Sequence, residues 1–134
     1  MINTDQLRIL ERSLDAGSLR QRAIANNIAN IDTPYFKSKQ IVFEDLLRQE
    51  LNKPASSLPA YRTNARHIAF GQQSGVPVAQ VVANPNGLVQ NNGNDVDVEY
   101  EMNQLAKNQI WYNGLVQLTN GYFSKIRSVL EGGK

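Results

Sequence analysis

The chain contains no cysteine. Disulfides and thiolate metal sites are therefore excluded, and no particular redox compartment is required. It also lacks any run of about twenty apolar residues, so no transmembrane helix is expected. Charge of one sign is missing too, since 14 Lys and Arg against 12 Asp and Glu leave a net charge of +2. The densest basic pairs, Arg20 with Arg22 and Lys37 with Lys39, are too sparse for a nucleic-acid footprint. Only one histidine is present, His67 between Arg66 and Ile68. Without a partner motif it reads as a surface or hinge residue rather than a general acid–base catalyst. No Gly-x-Ser-x-Gly elbow, Walker loop or dinucleotide fingerprint occurs. The start, Met1-Ile2-Asn3-Thr4-Asp5-Gln6, has no basic stretch leading into an apolar one, so no cleaved secretory signal is expected. Two readings stay open: residence in the cytoplasm, or export by a route that needs no cleaved signal.

What is present is helical periodicity at both ends. At 134 residues the chain is one domain's worth. From Asn3 to Ile31 the apolar series Leu7, Leu10, Leu14, then Ile24, Ile28, Ile31 alternates steps of three and four. Asn3 or Thr4 is placed to cap this helix, with Asp5 favoured in the first turn by the dipole. Gly17 and Gln21 occupy the two missing beats, which predicts a heptad seam with a weak centre. Glycine is a poor helix former and neither residue offers an apolar knob, so these positions are expected to restrain premature pairing. A helix of this span is about 43 Å long and needs a partner along its length. Thr33-Pro34 ends it, because the residue before proline is pushed out of the α region.

After Pro34 the chain is expected to be extended through Val42. A short helix is expected over Phe43–Leu51, with Phe43, Leu46, Leu47 and Leu51 on one face. From Asn52 to Asn94 proline, glycine and asparagine dominate. The only strand-like run there is Val76 to Val82, with Pro77 demoting its start to an edge. Flexible parts are expected around Ala55–Ser57 and Asn84–Gly93. Asn94 is then placed to cap a second long helix, with Asp95, Asp97 and Glu99 at its positive end. Its apolar series is Val98, Met102, Leu105, Tyr112, Val116, Phe123, Ile126 and Leu130, with Gln109 and Thr119 as polar beats. Trp111, Leu115, Leu118 and Tyr122 widen the stripe, so this helix is expected to have more than one neighbour. Gly132-Gly133 is a natural stop.

These readings assemble into a mainly α fold. Long N- and C-terminal helices pair as an antiparallel, coiled-coil-like bundle around a loop-rich middle with a short helix and at most a small β-hairpin. The chain divides into an N-terminal segment 1–36, a middle 37–93 and a C-terminal segment 94–134, together one domain. One helix pair leaves much of the apolar surface wet, so the lone chain is expected to be marginal and to complete its burial against other subunits.

The remaining polar groups point the same way. Asp95, Asp97, Glu99 and Glu101 do not follow the calcium-loop order, and helix-start charge accounts for them. Asp45 and Glu50 on one short helix are a thin basis for a glycan-cleaving acid pair. Asn26, Asn27 and Asn30 exceed what a helix C-terminus needs. Amides that donate and accept suit contacts between subunits or from helix to loop.

The run Ala25-Asn26-Asn27-Ile28-Ala29-Asn30-Ile31-Asp32-Thr33-Pro34, completed by Lys37, resembles the N-terminal signature of bacterial flagellar rod, hook and hook-associated proteins. That signature usually runs Ala-Asn-Asn-(Ile/Leu)-Ala-Asn-x-x-Thr-Pro-Gly-Tyr-Lys, whereas this chain has Tyr35-Phe36 in place of Gly-Tyr. If the glycine serves a positive φ, Tyr35 must take that conformation or the turn must differ. Ile41-Val42-Phe43-Glu44-Asp45-Leu46, Arg66-His67-Ile68 and the run Asn94 to Met102 are also similar to the short rod subunits, as is Leu105-Ala106-Lys107-Asn108-Gln109 through Tyr112 to Val129-Leu130.

The resemblance implies a structural subunit of the proximal rod, not an enzyme, with no cofactor or metal. It implies export by the flagellar type III apparatus and assembly into a helical tube that crosses the periplasm, passes motor torque and surrounds an export channel. The implied partners are the other flagellar rod proteins, the rod adapter protein E and the MS ring, with no nucleic acid and no direct lipid insertion. Under it, subunit contacts are expected at Leu7, Leu10, Leu14, Ile24, Asn26, Asn27, Ile28, Asn30, Ile31, Thr33 and Pro34. On the second helix they are expected at Met102, Leu105, Tyr112, Val116, Phe123, Ile126 and Leu130. Rival readings are another axial rod subunit, a helical adaptor or export chaperone, and a peptidoglycan-acting enzyme.

Overall fold

The computed structural model describes residues 4–52, 76–84 and 93–132. Two long helices dominate it: α1 (Thr4–Ala29) and α3 (Val98–Glu131). At 1.5 Å per residue they are about 39 Å and 51 Å long. They run antiparallel, since Asn27 near the end of α1 meets Glu101 near the start of α3, and Gly17 meets Trp111 and Tyr112 further along. Between them lie β1 (Lys39–Val42), α2 (Glu44–Leu51) and β2 (Gln80–Ala83). Asn3, His67 and the segment around Ala55–Ser57 lie outside the described residues.

Several boundaries differ from the sequence reading, each for a local reason. α1 stops at Ala29 rather than Ile31, because the chain tightens into three-residue turns: the Asn30 N–H donates to Asn27 O at 3.1 Å, and Thr33 to Asn30 O at 3.0 Å. α2 begins at Glu44, and Phe43 instead flanks it as a side chain only 1% exposed. The strand expected over Val76–Val82 is Gln80–Ala83. It pairs antiparallel with β1 in the register Lys39↔Ala83 to Val42↔Gln80, so the sheet is closed across the intervening chain rather than by a tight turn. Asn94 does not cap α3. Asp97 does, its carboxylate accepting from Glu99 N at 2.9 Å and Tyr100 N at 3.2 Å.

The weak centre expected at Gly17 is also corrected. Gly17 is buried where α1 meets α3. A Cβ there would sit 2.9 Å from a Tyr112 ring carbon and 3.1 Å from one of Trp111. The missing side chain is the hole into which two aromatic rings fit, so the position favours pairing instead of restraining it. Gln21, by contrast, is exposed and takes no part in the seam.

The inner face of α3 follows Glu101, Leu105, Asn108, Tyr112, Leu115, Thr119, Tyr122 and Ile126, a three-four alternation shifted from the apolar series read in the sequence. The two share Leu105, Tyr112, Thr119 and Ile126, and an apolar count passes over Glu101 and Asn108 because they are polar. The apolar core lies toward the end of the pair where α1 finishes. Among the described residues it consists of Ala16, Ile24, Ile41, Phe43 and Val96. No described helix is long and apolar enough to cross a membrane.

Candidate assembly interface and the signature junction

The asparagine-rich end of α1 is held by an unusually polar junction. Asn27, 1% exposed, uses its whole amide inside the chain. Its Nδ2 donates to Lys39 O at 2.8 Å and to Glu101 Oε1 at 2.9 Å, while its Oδ1 accepts from Lys39 N at 2.9 Å. One side chain thus imitates a strand partner for β1 and ties it to α3. Asn30 serves its own turn, donating to Asn26 O at 2.8 Å and accepting from Thr33 Oγ1 at 3.3 Å.

The other half of the junction comes from the segment before α3. Asn94 is fully buried, and its Nδ2 lies within reach of three carbonyls: Asn30 O at 2.9 Å, Ile31 O at 2.7 Å and Thr33 O at 2.8 Å. These carbonyls belong to the turn that ends α1, so the C-terminal half of the chain supplies the cap of the N-terminal helix. Asn94 Oδ1 accepts from Val96 N at 2.7 Å. Asp95 accepts from Ser38 N at 2.6 Å, and Lys37 Nζ donates to Gly93 O at 3.2 Å. Ser38 O in turn accepts from Asn84 N, which brings in the residue that follows β2.

Tyr35 takes the left-handed conformation, φ +60°, at the position where the resembling signature carries glycine. That conformation costs a non-glycine residue about 1 kcal/mol. Its exposed ring lies over Gly93, whose φ is +77°; a Cβ on Gly93 would come within 2.6 Å of it.

Electrostatics in the junction centre on Glu101, a carboxylate 4% exposed. Burial pushes its pKa above the ordinary glutamate value. The Asn27 amide pulls it down, and nearby Asp95 and Asp97 add to the upward push. The remaining acids have structural duties: Asp97 caps α3, while Asp45 lies in an exposed pair with Arg48 at 3.9 Å. Arg20 is fixed more firmly. It donates from Nη2 to both Glu44 oxygens at 2.7 Å and lies 5.4 Å from the centre of the Trp111 ring, joining α1, α2 and α3.

The sequence-predicted contact residues divide by exposure. Ile24 and Asn27 are buried; Leu7, Leu10, Leu14, Ile28, Asn30, Ile31, Leu105, Tyr112, Val116 and Ile126 are half-buried. Asn26, Thr33, Pro34, Met102, Phe123 and Leu130 are exposed, the last three at 53%, 51% and 76%. The structure therefore gathers Asn27 into an internal junction and leaves much of the predicted α3 stripe on the surface. Asn94, Glu101 and Asn108 were missed as site residues. Their signal was present, for each is a polar residue that burial forces to find partners, but burial cannot be read without the partner helix.

Comparison with known proteins agrees with this architecture. The sequence profile of a family described as "Flagella basal body rod protein" matches residues 7–37, which span most of α1 and the signature. The flagellar basal body rod protein FlgB of Bacillus subtilis (strain 168) is 44% identical over 125 residues, covering 93% of this chain and 92% of that protein. FlgB of Borrelia hermsii is 35% identical over 127 residues, 92% of this chain and 93% of that one. FlgB of Escherichia coli (strain K12) is 29% identical over 130 residues, 95% and 94%. With signature, paired helices and near full-length similarity in agreement, this chain belongs to the FlgB family of flagellar basal body rod proteins.

Proposed function

We propose that this chain is a structural subunit of the proximal rod of the flagellar basal body. It assembles with copies of itself and with the other rod proteins into a helical tube that crosses the periplasm, surrounds the export channel and transmits motor torque. Its neighbours on this reading are the rod adapter protein E, the MS ring and further rod subunits, and it reaches them through the flagellar type III export apparatus. The three relatives named above, each a FlgB, favour this assignment over a rod protein C type. The segments 1–36, 37–93 and 94–134 act as one structural unit.

The observation that carries the reading is the surface of α3. Its inner face is occupied by α1, yet it exposes apolar side chains on two further sides. Met102, Phe123 and Leu130 follow one line at multiples of seven residues. Ile110 and Leu118 lie with Gly114 and Gly121 on another, and none of the described residues comes within 4 Å of a Cβ at either glycine. A helix apolar on most sides belongs inside an assembly. Two unlike faces on one helix suit heterologous contacts, which extend into helical tubes rather than closing. Deleting the gene and viewing detergent-extracted basal bodies by electron microscopy tests the role. Rings without a rod, restored by the intact gene, are expected; complete rotating flagella in the deletion strain would overturn it.

A further inference from the structure

The two-stranded sheet has one closed edge and one open edge. In an antiparallel pair, alternate residues turn their backbone groups inward to the partner strand and those between them turn outward. Asn84 N donates to Ser38 O at 3.0 Å, and the register is Lys39↔Ala83, so the inward groups belong to Gln40 and Val42 on β1 and to Gln80 and Val82 on β2. Lys39 then faces outward, and its N–H and C=O are both taken by the Asn27 amide. On the opposite edge the same alternation turns the N–H and C=O of Val81 and Ala83 outward. Both residues are exposed, and no described residue bonds to those groups.

Sheet edges of this kind are usually blunted by charge, proline or a bulge. The register of β2 is continuous, and no charged residue occurs from Val76 to Ala83. Only Pro77, which has no N–H to offer, ends the run on one side. The side chains are unfinished as well. Val81 is 53% exposed beside its cross-strand neighbour Ile41, which is buried. The group that completes this edge is an extended, uncharged strand with an apolar side chain for Val81 and an unpaired edge of its own. Among the described residues β2 alone meets those terms, since Asn27 closes the outer edge of β1. The occupant the edge fits is therefore β2 of a second copy.

We propose that two copies of this chain pair through β2, antiparallel about a two-fold axis at Val81. Val81 of each copy exchanges N–H···O=C bonds with its counterpart and packs against it. Ala83 of each copy meets Ala79 of the other. The two sheets merge into one with the strand order β1-β2-β2-β1, and Asn27 closes it at both ends. A patch that meets itself is isologous and closes. A closed pair cannot lengthen into a tube, so on the rod reading it belongs to the unassembled subunit and opens before incorporation.

The absence of cysteine makes the test clean, since thiols can be introduced singly. In such a pair the Val81 Cα atoms lie about 5.5 Å apart, within reach of a disulfide. Purified full-length Val81→Cys is oxidised with diamide beside Gln21→Cys, a control at an exposed position on α1. Disulfide dimer at several-fold higher yield than the control is expected. Equal yields, or no dimer of the unaltered chain at any concentration, overturn the pairing. Charge adds a second measurement, because residues on the axis face their own kind. Val81→Lys and Val81→Glu each reduce dimer several-fold in sedimentation, and an equal mixture of the two restores it. Failure of the mixture to restore dimer in chains of native circular dichroism also overturns it. In the deletion strain Val81→Lys is expected to restore swimming as the intact gene does. A natively folded Val81→Lys chain that leaves cells non-motile would overturn the assignment to the unassembled subunit. The pairing itself is measured on purified chains, so it stands or falls apart from the rod role.

Discussion

Glu101 is the residue at which packing and charge conflict. Its folded-state pKa is raised, so between the ordinary glutamate value and the raised one the folded chain holds a proton that the unfolded chain has released. Stability from this group is therefore greatest below the ordinary value and falls as pH rises through the raised one. Glu101→Gln keeps an oxygen for the Asn27 amide and removes the buried charge. It is expected to raise the urea midpoint at neutral pH and to flatten its dependence on pH across the mildly acidic range. An unchanged pH profile would show that the charge is solvated after all. Asn94 gives a sharper contrast. Asn94→Ala removes a buried donor shared by three carbonyls and should cost about 1–3 kcal/mol. Asn94→Asp should cost more, because a carboxylate cannot donate and would face those carbonyls and the negative end of α1. Thermal unfolding of the two variants orders them.

At the scale of elements, three glycines separate packing within the chain from packing between chains. Gly17→Leu drives a side chain into Tyr112 and Trp111 and should cost about 1–3 kcal/mol by overpacking, with a shift in Trp111 fluorescence. Gly114→Ala and Gly121→Ala meet nothing among the described residues, so each should stabilise the free subunit by roughly 0.5–1 kcal/mol through helix propensity. On the proposed function they should also impair rod assembly, measured as motility of complemented cells. Stabilised chains that swim normally would show that this face has no close neighbour. The same elements show what periodicity can convey. Both long helices were legible because a three-four alternation continued over many residues gives a helix whichever phase is counted. The phase was only half legible in α3: Leu105, Tyr112, Thr119 and Ile126 lie on both the apolar series and the inner face, whereas the inner face takes Glu101, Asn108, Leu115 and Tyr122 where the series had Met102, Gln109, Val116 and Phe123. Gly17 was misread for the same reason, since a hole is recognised only when its knobs are known.

For the whole molecule, five buried apolar residues stand against twelve large apolar residues that are exposed, among the described residues. Each buried large apolar side chain contributes about 1.5–3 kcal/mol, which leaves a core of this size with little margin over chain entropy. The thermal midpoint of the purified chain is therefore expected to be low and to rise with protein concentration as association adds burial. A high midpoint independent of concentration would instead fit a self-sufficient helical adaptor. The turn after α1 and the segment leading into α3 meet in the junction, so α1 and α3 lack part of their partners until both are present.

Composition by itself excluded thiol chemistry, periodicity determined two long terminal helices, and the run Ala25 to Pro34 carried the resemblance to flagellar axial proteins. Those properties are local or additive, and each can be summed along one chain. Tertiary structure alone decided that Asn94 caps the turn after α1, that Asn27 bridges Lys39 and Glu101, that β1 pairs with β2, and that Gly17 receives two rings. Every one of these joins residues far apart in sequence. A hydrogen bond or a hole is a property of two surfaces in register, and register is established only when both helices are packed.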